Sequence, residues 1–133
     1  MANDSILVDT SCWIEYFNRP GTESAVAVEK FVREDRASLT GVVLVELLQG
    51  AKSEAELSRL RTALGAVDYI ETSQETYLRA GNIGFALRRR GVTVPVTDCV
   101  IAAAAESSGG RILTLDAHFA GLAKVASLVV LHR

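Results

Sequence analysis

Glu46 is an acid in an apolar setting, because it lies within VVLVELLQGA and the nearest base, Lys52, is six positions further on. A charge that is buried without a partner is costly, and such a group normally neutralises or finds a partner. A helix over this stretch is expected to be apolar nearly all the way round and therefore buried. The carboxylate of Glu46 then needs a partner from elsewhere, either a distant Arg or a bound cation.

Three further acids border apolar runs: Asp9 follows ILV, Asp98 precedes CVIAAAA, and Asp116 follows RILTL. Taken singly, each is explained by its position at a helix start, where a carboxylate accepts backbone N–H groups and suits the helix dipole. Glu46 has no such explanation because it lies inside its helix. The four acids taken together favour a second interpretation, a metal site.

Carboxylates gathered at one place repel one another, because two unit charges ~4 Å apart cost about 4 kcal/mol at an effective dielectric constant near 20. A divalent cation relieves that repulsion without neutralising its ligands. Oxygen ligands with few His or Cys nearby select hard ions such as Mg²⁺, with Mn²⁺ as an alternative. A pair of ions held in this way is a common means of cleaving a phosphodiester bond, so the four acids favour metal-dependent phosphodiester cleavage.

Short apolar segments alternate with helical patterns along the chain, which predicts a parallel α/β sheet with helices on both faces. Strands are predicted at 6–8, 37–40, 67–70, 111–115 and 128–131. Helices are predicted at 10–17, 22–34, 42–49, 53–64, 72–90, 98–107 and from 117 onward. Ligands of such sheets bind beyond the carboxyl ends of the strands, and the four acids are expected to converge there.

Local capping signals set several of the predicted helix ends. The spacing S-x-x-E that begins at Ser53, and the spacing T-x-x-E that begins at Thr72, predict capping boxes. Thr97 is expected to cap the helix over 98–107. Gly91 is expected just past the end of the preceding helix, where glycine is favoured.

Length, charge and composition limit the class of protein. A chain of 133 residues with a net charge of -2 fits one domain and argues against a protein that coats nucleic acid through bulk charge. No apolar run approaches the ~20 residues of a membrane span, and no signal peptide is evident. Cys12 and Cys99 lack metal-site spacing and are interpreted as reduced core thiols, which predicts a cytoplasmic protein without membrane association.

Four ordered segments, ILVDTSCWIEYF, TGVVLVELLQGA, RRRGVTVPVTDCVIAAAA and ILTLDAHF, resemble the PIN-domain ribonucleases, in particular the VapC toxins of toxin–antitoxin pairs. The resemblance spans essentially the whole chain. It implies a PIN fold, a three-layer sandwich whose central parallel sheet is flanked by helices, as a single domain over residues 1–133. It also implies a Mg²⁺- or Mn²⁺-dependent endoribonuclease that cleaves RNA, a homodimer, and a small antitoxin that covers the site.

The resemblance also implies roles for particular residues. The implied catalytic and metal-ligating acids are Asp9, Glu46, Asp98 and Asp116, and the implied supporting hydroxyls are Thr10, Ser11, Thr40 and Thr97. Many relatives carry another acid or amide two residues after the fourth acid, where this chain has His118. The number of tightly held ions is therefore left open.

Four basic or titratable residues are candidate RNA contacts with simpler explanations. Arg88, Arg89 and Arg90 form one run, but cations at a helix C-terminus are favoured in any case. His118 is a candidate ligand or RNA contact, or an exposed residue at the start of a helix.

The alternative from another functional class is a PIN-like module that binds RNA or protein without nuclease activity. Loss of one or more of the four acids would mark such a module, and all four are present. Phosphoaspartate enzymes of the haloacid-dehalogenase type are disfavoured, because they need a second Asp where this chain has Ser11. A neighbouring gene for a small DNA-binding protein would distinguish a toxin from a solitary processing nuclease.

Overall fold

The computed structural model describes residues 4–131 and shows five strands and seven helices over that range. The strands are β1 (Ile6–Val8), β2 (Ala37–Thr40), β3 (Asp68–Ile70), β4 (Arg111–Leu113) and β5 (Val129–Leu131). The helices are α1 (Thr10–Asn18), α2 (Glu23–Arg33), α3 (Gly41–Gln49), α4 (Glu54–Leu64), α5 (Gln74–Arg89), α6 (Val96–Ser107) and α7 (His118–Leu122). The predicted order of elements is confirmed.

The strands form one parallel sheet in the order β3-β2-β1-β4-β5. β1 is central, since Leu7 pairs with Ser38 of β2 on one side and with Ile112 of β4 on the other. The winding direction therefore reverses between β1 and β4. Open α/β sheets bind ligands beyond the carboxyl ends of the strands at such a reversal.

The central strands lie in the core, and β1 is an unbroken apolar run. Every residue of β1 and β2 is buried, as is typical of a parallel sheet covered on both faces. Residues 98–105 of α6 are all buried, and its alanines allow a close approach to its neighbours. Cys12 and Cys99 are free and buried, as predicted. The predicted α/β class, a parallel sheet flanked by helices, is confirmed.

Two of the predicted caps are wrong. α6 begins at Val96 with Pro95 at its N-cap position, so Thr97 lies within the first turn instead of before it. Proline suits this place because no helical hydrogen bond needs its missing N–H. α5 is capped by Ser73, whose Oγ accepts the Thr76 N–H at 3.3 Å, so the expected box at Thr72 is displaced by one residue.

Two other local predictions are confirmed with small changes. Ser53 Oγ accepts the backbone N–H of Glu56 at 3.1 Å, but the Glu56 carboxylate accepts the N–H of Lys52 instead of that of Ser53. Gly91 follows α5 with a φ of +78°, a left-handed conformation that glycine adopts without strain. Within the part of the chain that the structure describes, no helix has the length and hydrophobicity to traverse a bilayer.

Candidate active site

Asp9 is the first residue after β1, at the carboxyl end of the central strand, and it is only 5% exposed. It stands at the N-cap position of α1, yet its side chain does not cap that helix. Its Oδ2 instead accepts hydrogen bonds from Ser11 Oγ at 3.0 Å and from Thr114 Oγ1 at 2.8 Å. Capping alone therefore does not explain Asp9, and Oδ1 is the oxygen through which it would approach an ion.

Thr114 is a positioning residue that the sequence motifs did not reveal. Its side chain is 0% exposed, and its hydroxyl donates to Asp9 Oδ2 and accepts the backbone N–H of Asp116 at 2.8 Å. One hydroxyl thus links the acid that follows β1 to the acid that follows β4. The available signal was a polar residue inside the apolar run ILTL, since a buried hydroxyl needs hydrogen-bond partners.

Asp98, Asp116 and His118 together form a group, called here the ligand group. One ligand atom from each lies within 4.8 Å of the other two. His118 Nδ1 is 2.9 Å from Asp98 Oδ2 and 3.2 Å from Asp116 Oδ1. The first turn of α6 supplies Asp98, while the segment after β4 supplies the other two. Asp9 and Glu46 lie outside this group.

The pKa of Asp98 reflects its burial and two neighbouring acids. Burial raises the pKa of Asp98 above its ordinary value, and the negative charges of Asp116 and Asp9 act in the same direction. Its hydrogen bond with His118 lowers the pKa without cancelling these effects. Asp9 is therefore close enough to act on the ligand group, although it is not a member of it.

Glu46 has a partner within the chain, because Thr10 Oγ1 donates to its Oε1 at 2.6 Å. The expectation that its helix is buried nearly all the way round is wrong, since Val45 is 60% exposed and only Val43 and Leu47 of α3 are buried. One side of α3 packs on the core, and Glu46 is half-buried at the wall of a groove. Solvent and a hydroxyl therefore accommodate the charge without a distant Arg.

The supporting hydroxyls have different surroundings. Thr10 and Ser11 each donate to a predicted catalytic acid. Thr40 is 0% exposed and caps α3 by accepting the backbone N–H of Val43 at 3.4 Å, so it fixes the start of the helix that carries Glu46. Thr97 is exposed, and within residues 4–131 its hydroxyl has no hydrogen bond to an acid.

Arg88, Arg89 and Arg90 are exposed at the C-terminal end of α5. The Arg89 guanidinium lies over the ring of Phe85, 5.8 Å from its centroid. None of the three forms an ion pair with an acid in the described range of 4–131. They remain candidate RNA contacts that are separate from the ligand group.

The donor set of the ligand group suits a divalent cation. It offers two carboxylates and an imidazole nitrogen, which are common protein ligands for such ions. The two thiols do not take part: burial raises the pKa of Cys12 to about 12 and also raises the pKa of Cys99. Neither thiol supplies the thiolate that metal binding or nucleophilic attack requires at neutral pH.

Sequence comparison defines the class to which this fold and site belong. The family model of the PIN domain matches residues 6–125. The chain belongs to the PIN domain family, as its motifs indicated.

Individual relatives narrow the comparison to VapC proteins. Ribonuclease VapC11 of Mycobacterium tuberculosis is 34% identical over 127 residues, which cover 92% of this chain and 95% of the relative. Ribonuclease VapC51 of the same organism is 35% identical over 122 residues, which cover 90% and 85%. The predicted resemblance to VapC proteins is confirmed.

A solved structure shows the same fold. A chain of VapBC2 from Rickettsia felis, bound to a DNA fragment from its promoter, matches with a TM-score of 0.79 at 19% identity. The match covers 96% of this chain and 97% of that chain. The strand order and the helices around the sheet are therefore those of a known PIN-type structure.

Proposed function

We propose that this chain is a metal-dependent endoribonuclease and the toxin component of a VapBC-type toxin–antitoxin pair. The observation that carries the proposal is the ligand group, three donors within 4.8 Å of one another at the carboxyl edge of the sheet, with Asp9 nearby. The ribonuclease names of the VapC relatives support the same activity. Mg²⁺ is the proposed cofactor, with Mn²⁺ as the alternative that the donors also suit.

The residues of the site have distinct proposed roles. When bound, a divalent ion supplies Lewis acidity and activates water for attack on phosphorus. Asp98 and Asp116 hold the ion. Ser11 and Thr114 donate hydrogen bonds to Asp9 Oδ2, which leaves Oδ1 to face the ion. Glu46, held by Thr10, adds negative charge beside the site and accepts hydrogen bonds from water.

The proposed RNA contacts lie at the end of a helix pair that also carries Asp98. Residues 90–95 join the end of α5 to the start of α6, so the arginine run and the first turn of α6 lie at the same end of that pair. The net charge of -2 provides no general attraction for RNA. Affinity for the phosphate backbone must therefore come from local contacts such as Arg88–Arg90 and from the ion.

The proposed protein partner is a small antitoxin. A groove between α1, α3 and α4 is lined by apolar residues, including Phe17, Leu47 and Leu60, and has Glu46 on its wall. An antitoxin segment with apolar residues in this groove and an Arg among the acids would form charge-assisted hydrogen bonds. We also propose that the protein is cytoplasmic. We propose further that it forms a homodimer, and sedimentation equilibrium would test this oligomeric state.

The test of nuclease function is Asp9→Asn. The amide oxygen can replace Oδ2 between Ser11 and Thr114, so the variant keeps its shape and loses the charge. Cleavage of a pool of bacterial transfer and ribosomal RNA with Mg²⁺ should fall by about 100-fold or more. The matched control is Asp68→Asn, because Asp68 is an exposed acid at the amino end of β3. This variant should cleave RNA like wild type.

Equal cleavage by wild type and Asp9→Asn would show that the proposed site is wrong. A wild-type protein that binds RNA in filter-binding assays, but cleaves none of the pool with Mg²⁺ or Mn²⁺, would favour the module without nuclease activity. Loss of cleavage on adding a chelator, and its return with excess Mg²⁺, would support the metal requirement.

A further inference from the structure

We propose that His118 is itself a ligand of the catalytic ion through Nδ1, and that it shifts the preference of the site from Mg²⁺ toward Mn²⁺. This inference rests on the proposed metal-dependent nuclease function and names the ion that the site selects.

The distances within the ligand group suit one shared ion. Nδ1 of His118 lies 2.9 Å from Asp98 Oδ2 and 3.2 Å from Asp116 Oδ1. Neighbouring ligand atoms on an octahedral ion, each about 2.1 Å from the metal, lie about 3.0 Å apart. Without an ion, the proton on Nδ1 is the one donated to Asp98 Oδ2. In the neutral tautomer with its proton on Nε2, Nδ1 instead carries a lone pair, so an ion that binds there takes the place of that proton.

The fold holds the imidazole at this place. The next residue, Phe119, and Leu122 of the same helix are both 0% exposed, so they anchor α7 to the core. The backbone N–H of His118 donates to Asp116 Oδ1 at 2.9 Å, which ties the two ligands together. The His118 side chain is 48% exposed, so an ion from solvent can reach it.

The chemistry of the donors sets the direction of the preference. Mg²⁺ binds oxygen ligands and loses its waters reluctantly, whereas imidazole nitrogen suits transition-metal ions better. An all-oxygen group at this position would keep the site selective for hard ions. A group with two carboxylates and one imidazole still accepts Mn²⁺ and binds Mg²⁺ relatively less well.

The first measurement compares metal affinities of the metal-free protein by calorimetry. His118→Asn exchanges the nitrogen donor for an amide oxygen without adding charge. The ratio of Mn²⁺ to Mg²⁺ affinity should fall by about tenfold in this variant. His132→Asn changes the chain's other histidine, and its ratio should equal that of wild type. An unchanged ratio in His118→Asn would overturn the proposed preference.

The second measurement detects the ligand directly and does not depend on whether His118→Asn folds. Wild-type protein containing nitrogen-15 histidine is loaded with Mn²⁺ and studied by pulsed EPR. A nitrogen-15 coupling that persists in His132→Asn supports the proposal, and its absence from Mn²⁺-loaded wild type overturns it, even if RNA is cleaved. Failure of both ions to bind, with no cleavage, would overturn the proposed function and this inference with it.

Discussion

Replacing Thr114 with Val removes one buried hydroxyl and leaves the shape of the side chain almost unchanged. That hydroxyl donates to Asp9 Oδ2 at 2.8 Å and accepts the Asp116 backbone N–H at 2.8 Å. The variant therefore removes the hydrogen-bonded link between two acids that follow neighbouring strands, and it keeps both carboxylates. We expect it to destabilise the protein and to weaken metal binding.

The burial of Thr114 sets the size of the effect. The residue is 0% exposed, so water cannot replace the lost hydroxyl. Losing a hydrogen bond to a carboxylate costs about 1.5–3 kcal/mol, and an N–H left without its acceptor costs about 1–3 kcal/mol. Asp9 keeps its bond from Ser11, and water reaches the half-buried Asp116, so the sum is reduced. We expect about 2–4 kcal/mol, which lowers Tm by roughly 10 °C in a chain of this size.

The assay is denaturant and thermal unfolding of the metal-free protein with a chelator present, followed by Mg²⁺ titration of the folded variant. Thr93→Val makes the same change on an exposed threonine between α5 and α6, and its unfolding free energy should stay within about 0.5 kcal/mol of wild type. If Thr114→Val is as stable as Thr93→Val and binds Mg²⁺ like wild type, the shared hydroxyl does not position the two acids.

Three further predictions concern pH and partners. Burial raises the pKa of Asp98, so protons compete with an ion for this carboxylate at a higher pH than for an ordinary one. Mg²⁺ affinity, measured by calorimetry, should weaken as pH falls from neutral to mildly acidic. The bidentate bond from Arg79, at 2.7 and 2.9 Å, lowers the pKa of Glu106, so the stability from Glu106 is present above its ordinary pKa and is lost as pH falls through the lowered value. Because Arg79 is 42% exposed and solvent screens the pair, Glu106→Gln should cost about 1 kcal/mol in neutral unfolding curves and less in acid. An antitoxin Arg among the acids would compete with the ion, so calorimetric antitoxin affinity should fall as Mg²⁺ rises at fixed ionic strength.

Each of these predictions has an outcome that contradicts it. A Mg²⁺ affinity independent of pH would count against Asp98 as a ligand. Glu75→Gln, a change to an exposed acid on α5, is the control for Glu106→Gln, and equal stability of the two variants at neutral pH would show that the Arg79 pair contributes nothing measurable. An antitoxin affinity that does not change with Mg²⁺ concentration would favour a mode of inhibition that does not place an antitoxin Arg among the acids.

The sequence by itself determined the order of the elements and most of their ends. This information is local: a strand buried on both faces must be an apolar run, and a helix end depends on side chains within four residues. Ser53, which caps α4, and Gly91, which follows the end of α5, were both predicted from such local signals. The wrong caps at Thr72 and Thr97 show the limit of such signals. Ser73, next to Thr72, caps α5, and α6 begins before Thr97 with Pro95 at its N-cap position.

The four acids were identifiable because each is a carboxylate within or beside an apolar run, where burying an unpaired charge is costly. Ser11, two residues from Asp9, was among the predicted hydroxyls, but the sequence did not show which acids the more distant hydroxyls contact. Thr10 is 36 residues from Glu46, and Thr114 is 105 residues from Asp9. The placement of β1 beside β4 brings Thr114 to Asp9, and the packing of α1 against α3 brings Thr10 to Glu46. Hydrogen bonds and metal ligation act over about 3 Å, so the tertiary structure alone decided which atoms form the site.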